Sequence, residues 1–208
     1  MTTLLHDLLR KDCSESPHKV SFNIREHNIS YKMSEQLFEY IKSMDPQLQR
    51  PVVIVAIGTD RSTGDSLGPL VGSLLTEKQA LIPEVDILGT LDNPVHAVNL
   101  ADHAKSIFHK HINPIVIAVD ASLGKSQNVG NINLGIGPLK PGAGVNKDLP
   151  SIGHIHFIGI VNVGGYLEYL VLQNTRLSLV MKLAKSISEA LYKTSRKLHL
   201  EKLKAPSH

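Results

Sequence analysis

Tryptophan is absent from this chain, and Tyr and Phe together make up only 4% of its 208 residues. A core of ordinary size must therefore be built from Val, Ile and Leu, which the hydrophobic fraction of 42% allows. There is a single cysteine, Cys13, so no internal disulfide can form. That suits a reducing, intracellular setting. No apolar run approaches the roughly 18 residues that suggest a membrane span. The amino terminus lacks the basic and apolar regions of a secretory signal. Charge is also sparse in one sense: the formal net charge is +3, and no Lys/Arg stripe interleaves with aromatics. Nucleic-acid and membrane partners are thus not expected, and the reading is a cytoplasmic protein.

What is present begins with Val52-Val53-Ile54-Val55-Ala56-Ile57, an unbroken β-branched run of the kind buried on both sheet faces. It breaks into Gly58-Thr59-Asp60-Arg61-Ser62-Thr63-Gly64-Asp65-Ser66, and helical spacing resumes from Pro69 to about residue 79. A short strand is expected over 85–88, a helix over 95–109 and a second buried strand over 115–119. Residues 131–136 alternate and read as an edge strand; a third core strand spans 156–161. A long helix is expected over 176–198, with Thr175 as its N-cap and Val180, Leu183, Ala184, Ile187, Ala190 and Leu191 on one face. Residues 1–32 are poorly patterned, with a short helix over 4–9 and a loop over 12–17. A helix over 34–44, capped by Ser34, ends at Asp45-Pro46. Strands alternating with helices predict one α/β domain: a three-layer α/β/α arrangement around a mostly parallel twisted sheet. Its core lies in 51–200 and a lead-in, 1–50, packs on it.

In such sheets, chemistry gathers at the carboxyl ends of the strands. Asp65 follows the first buried strand and Asp120 directly follows the second. Close carboxylates do not both ionise cheaply, so such a pair shares a proton and supplies a general base and a general acid. A helix-capping role for Asp65 is the competing structural reading. Asp60, Arg61, Gly64 and Ser122 line the same loops and are candidate substrate contacts. Arg61 would either hold one carboxylate ionised or bind a substrate carboxylate. A phosphate-loop reading fails, because an aspartate stands where the lysine would meet phosphate. His154 and His156 alternate toward one side and are weak metal candidates. Simple backbone or solvent contacts are the preferred reading of both, and no cofactor is expected.

Three stretches together carry a resemblance: Gly58 through Pro69, Val119-Asp120-Ala121-Ser122-Leu123-Gly124, and Lys140-Pro141-Gly142-Ala143-Gly144-Val145-Asn146-Lys147. They resemble the YyaC family of sporulation proteins. That family is similar to the germination protease of spore formers and shares the fold of hydrogenase-maturation endopeptidases. The resemblance implies a hydrogenase-maturation-protease-like fold and a peptidase in which Asp65 and Asp120 match the paired aspartates of the germination protease. It implies a peptide or protein substrate, with a spore protein as one candidate, in the sporulating cell or forespore. The alternatives are a non-enzymatic peptide- or protein-binding protein that keeps the fold, or a metal-recognising maturation-type peptidase. Self-association is left open. The glycine-rich stretch 135–144 is expected to form a rim of the site.

Overall fold

A computed structural model describes residues 19–141 and 151–204. The helix read at 4–9, the loop at 12–17, Cys13 and the end of the glycine-rich stretch, 142–144, lie outside the described residues. The elements in chain order are β1 (Lys19–Asn23), α1 (Ile29–Met44), β2 (Val52–Ala56), α2 (Leu67–Thr76), β3 (Val85–Leu88) and α3 (Leu100–Lys110). They continue with β4 (Ile115–Gly124), β5 (Asn131–Ile136), β6 (Ile155–Val163), α4 (Glu168–Gln173) and α5 (Leu177–Lys204).

The strands form one six-stranded sheet in the order β1-β5-β6-β4-β2-β3. β3, β2, β4 and β6 run parallel, β5 pairs antiparallel with β6, and β1 pairs antiparallel with β5. Side-chain alternation divides the core in two. Val52, Ile54, Ile115, Ile117, Val119, Ile155 and Phe157 point to one face, where α1, α2 and α5 bury Leu37, Ile41, Val71, Leu75, Leu183 and Ile187. Val53, Val55, Val116 and Ala118 point to the other, where α3 contributes Leu100 and Ile107. Helices on both faces explain why β2 is buried at all five positions.

Several expectations change. Residues 131–136 form an interior strand between β6 and β1, and β1 is the edge. The alternating pattern registers one apolar face, Ile132, Leu134 and Ile136, and carries no information on which strand lies outside. Gly135 is a buried strand residue of β5, so it belongs to the sheet and not to a rim. Helix α3 starts at Leu100, five residues later than read, because Val95 is held in a parallel bridge to Ile57. Helix α1 starts at Ile29, and Ser34 is buried inside it, its hydroxyl donating to the Tyr31 carbonyl. Thr175 is also no cap: its hydroxyl donates to the Val171 carbonyl and accepts from the Asn162 amide. Among the described residues, no helix is long and apolar enough to cross a membrane.

Candidate active site

The loop after β2 is set by backbone contacts that leave no room for side chains. Gly58 has φ +151°, and a Cβ there would stand 2.0 Å from the Asp65 carbonyl oxygen. That same carbonyl accepts the Thr59 N–H at 3.1 Å, and the Gly58 N–H donates to the Val95 carbonyl at 2.8 Å. A Cβ at Gly68 would lie 2.1 Å from the Ile57 carbonyl oxygen, so the start of α2 sits directly on the end of the strand. Between these two glycines the chain makes a single 3₁₀ turn, Gly64–Ser66, with Asp65 at its centre. The turn is tightened by the Ser66 hydroxyl, which donates to the Thr63 carbonyl at 2.7 Å. Ser66, and not Asp65, stands at the N-cap of α2, and among the described residues no side-chain cap hydrogen bond is made there.

Asp120 comes from the neighbouring strand. The pairing of β2 with β4 ends at Ala56 and Val119, while β4 continues beside β6, with Asp120 opposite Ile158. Asp120 is therefore a strand residue, where a loop had been expected. Its partner on the β2 side has already turned away into the loop that carries Asp65. One carboxylate oxygen of Asp120 accepts the adjacent Ala121 N–H at 2.8 Å.

Both carboxyls are shifted in the same direction. Burial raises Asp65, opposed by the nearby Ser62 hydroxyl, which favours the ionised form. Among the described residues that buried hydroxyl forms no hydrogen bond of good geometry. Burial pushes Asp120 up from 3.8 to about 8; the Ala121 N–H opposes this, and repulsion from Asp65 adds to it. The two groups thus feel each other, and at neutral pH Asp120 holds a proton. Such a pair titrates as a unit.

The other sequence candidates fall in different places. Asp60 and Arg61 are exposed, and among the described residues the Arg61 guanidinium makes no ion pair. Both carboxyls move up, the opposite of what a guanidinium beside them would impose, so Arg61 does not hold either one ionised. Gly64 is a packing position: a Cβ would come within 2.7 Å of the Leu172 side chain of α4. Ser122 is half-buried on β4, its hydroxyl donating to the Leu123 carbonyl at 3.0 Å.

His154 and His156 lie toward the start of β6, with His156 opposite Ala118. The Val116 N–H donates to Nδ1 of His154 at 3.0 Å, and His156 Nδ1 pairs with the Gly137 carbonyl at 3.0 Å. Burial lowers the pKa of both rings. Among the described residues no group of three or more His, Cys, Asp or Glu could hold a metal. These histidines serve the sheet's backbone.

Two features escaped the sequence reading. Ser62 was visible in the loop, but nothing in its neighbours marked it as buried. The helix α4 was hidden because it spans only six residues, and Tyr169 and Leu170 face outward while Leu172 packs inward, which breaks the periodic signal. An open hollow of about 370 Å³, lined by Leu74, Lys78, Lys185 and Glu189 among others, lies on the α2–α5 flank, apart from the aspartates.

Against known proteins, the model of a family described as a protein of unknown function, DUF1256, matches residues 21–190. The chain belongs to the DUF1256 family. A relative in Bacillus subtilis strain 168, described as uncharacterized protein YyaC, is 58% identical over 147 residues, 71% of each chain. Among solved structures, the NiFe hydrogenase maturation protease HycI from Thermococcus kodakarensis KOD1 aligns over 78% of this chain and 99% of its own. The TM-score there is 0.47 and the identity 17%. This member of DUF1256 carries both aspartates within the matched region, Asp65 in the loop after β2 and Asp120 on the neighbouring strand β4.

Proposed function

We propose that this protein is a peptidase that hydrolyses a bond in a polypeptide substrate with Asp65 and Asp120 as its acid–base pair. The observation that carries the reading is the Asp120 carboxyl, pushed up to about 8 by burial and by Asp65. A protonated carboxyl beside an ionisable one is the state needed for concerted proton transfer near neutral pH. Asp65 takes a proton from a water as its oxygen attacks the peptide carbonyl. Asp120 gives its proton to the carbonyl oxygen, and a tetrahedral gem-diol forms. On collapse, Asp65 returns the proton to the departing amine nitrogen, and Asp120 recovers one from the gem-diol. The resemblance of its loop motifs to the YyaC family of sporulation proteins favours the cytoplasm of the sporulating cell or forespore as its setting, and a spore protein as its substrate.

The test is cleavage of an unstructured polypeptide mixture, with new termini read by mass spectrometry. Asp65→Asn and Asp120→Asn should each lower kcat/KM by about 10²–10⁴ while the folded far-UV spectrum is kept. Full cleavage by either variant removes that residue from the mechanism. Tight binding without any cleavage by the wild type assigns the fold to a peptide-binding protein.

A further inference from the structure

The segment after β6 is apolar, anchored at both ends and turned outward. The Gly164 N–H donates to the carbonyl of Gly124, the last residue of β4 and so of the strand that carries Asp120. Further on, Leu172 packs on Gly64, the residue before Asp65. The Asn162 amide donates to the Val171 carbonyl and to the buried Thr175 hydroxyl, which fixes the far end of α4 to β6. The segment is thus tied to both aspartate-bearing elements.

On that fixed base, the opposite side chains reach solvent. Tyr166 is 98% exposed, Leu167 72% and Tyr169 62%, with Val163 and Leu170 beside them also exposed. Two of the chain's five tyrosines are spent here. Leu167 also sits in the left-handed region, φ 57° and ψ 46°. A leucine there is strained, and it gains no burial in return. Strain kept at an exposed apolar residue points to a role outside the chain's own packing.

We propose that the outward face of residues 163–170 is the substrate shelf of the aspartate pair. It takes the large apolar side chains of an extended polypeptide that flank the bond to be cut. This rests on the peptidase reading. A flexible polypeptide is the occupant that fits, because β6 runs parallel to β2 and β4, so the shelf leaves the sheet at the same edge as the Asp65 loop, and an extended chain laid on it can run along that edge. A second folded copy seated on the shelf would cap that pair.

The experiment uses the full chain and two short fluorescein-labelled peptides, alike except that one has Leu and Tyr at its centre and the other Ser and Gln. Fluorescence anisotropy should show the apolar peptide binding about tenfold more tightly or better. The double variant Tyr166→Ser, Leu167→Gly should lose that preference, whereas Ile112→Ser, a comparably exposed apolar site in the loop before β4, should keep it. Glycine accepts the φ of position 167, so the melting temperature should not fall and misfolding is not the cause of the loss. Equal binding of the two peptides, or a double variant that binds like wild type, overturns the shelf. A double variant that turns a dimer into a monomer with unchanged peptide binding assigns the face to a second copy, which also overturns it. Apolar-selective binding with no cleavage defeats the peptidase reading and leaves the shelf standing. Cleavage indifferent to apolar residues defeats the shelf and leaves the peptidase.

Discussion

Replacing Asp120 with Asn isolates the cost of its ionisation. Moving a carboxyl's titration from 3.8 to about 8 corresponds to on the order of 5 kcal/mol between its protonated and ionised forms. In the unfolded chain this carboxyl ionises near its ordinary value, while the folded protein holds the proton until about pH 8. Between those limits the folded state binds more protons, so rising pH favours unfolding. The stabilisation is complete below the unfolded value and is lost as pH rises through the folded one. Asparagine has no such titration, and its side-chain oxygen can keep the bond from the Ala121 N–H. Thermal melts near pH 5 and pH 8 should show the wild type losing stability relative to Asp120→Asn as pH rises. For a chain of this size the divergence is on the order of 10 °C. Asp65, also raised, gives both proteins a common background slope. Parallel pH profiles for the two proteins would refute the reasoning, because Asp120 would then ionise as an ordinary surface carboxylate. The same titration governs the proposed activity, which should decline above about pH 8 as the shared proton is lost.

Two further substitutions probe the frame around the pair. Gly58→Ala brings a methyl into the Asp65 carbonyl at a φ that alanine resists. It should cost about 1–3 kcal/mol or more by urea denaturation, and an unchanged midpoint would show that the loop is not pinned there. His154→Ala leaves the Val116 N–H without its acceptor, at about 1–3 kcal/mol. Because burial lowers the pKa of His154, its neutral form stabilises the fold above the ordinary histidine value, and that contribution is lost as pH falls. The variant should lack this part of the wild type's acid sensitivity, and a matching sensitivity would free His154 for another role.

The buried parallel strands were legible because both faces of the sheet are covered, which leaves β2 and the first half of β4 no polar residues to confuse the pattern. The long face of α5 was legible for the same reason, since Val180, Leu183, Ala184, Ile187, Ala190 and Leu191 are all buried. β1 was not. Its Lys19-Val20-Ser21-Phe22-Asn23 buries only Phe22, and its strand conformation comes from pairing with β5. The carboxyl edge could be read from two apolar runs followed by aspartates, but the reach of β4 beyond Val119 depends on its partner β6. The outward leucines and tyrosines of residues 163–170 had no periodic signal, because the surface they make faces away from the core.

The pairing of β1 with β5 also sets a schedule for synthesis. The amide of Asn23 donates to Asn131, 108 positions along the chain. At ordinary translation rates, β1 waits about 5–20 s for its partner to be made. Closing so long a loop makes it a late, slow-forming contact. Throughout that interval Phe22 lacks the cover it has in the finished sheet. The nascent chain therefore carries residues 19–23 without a strand partner, and Phe22 stays uncovered, until β5 has been made.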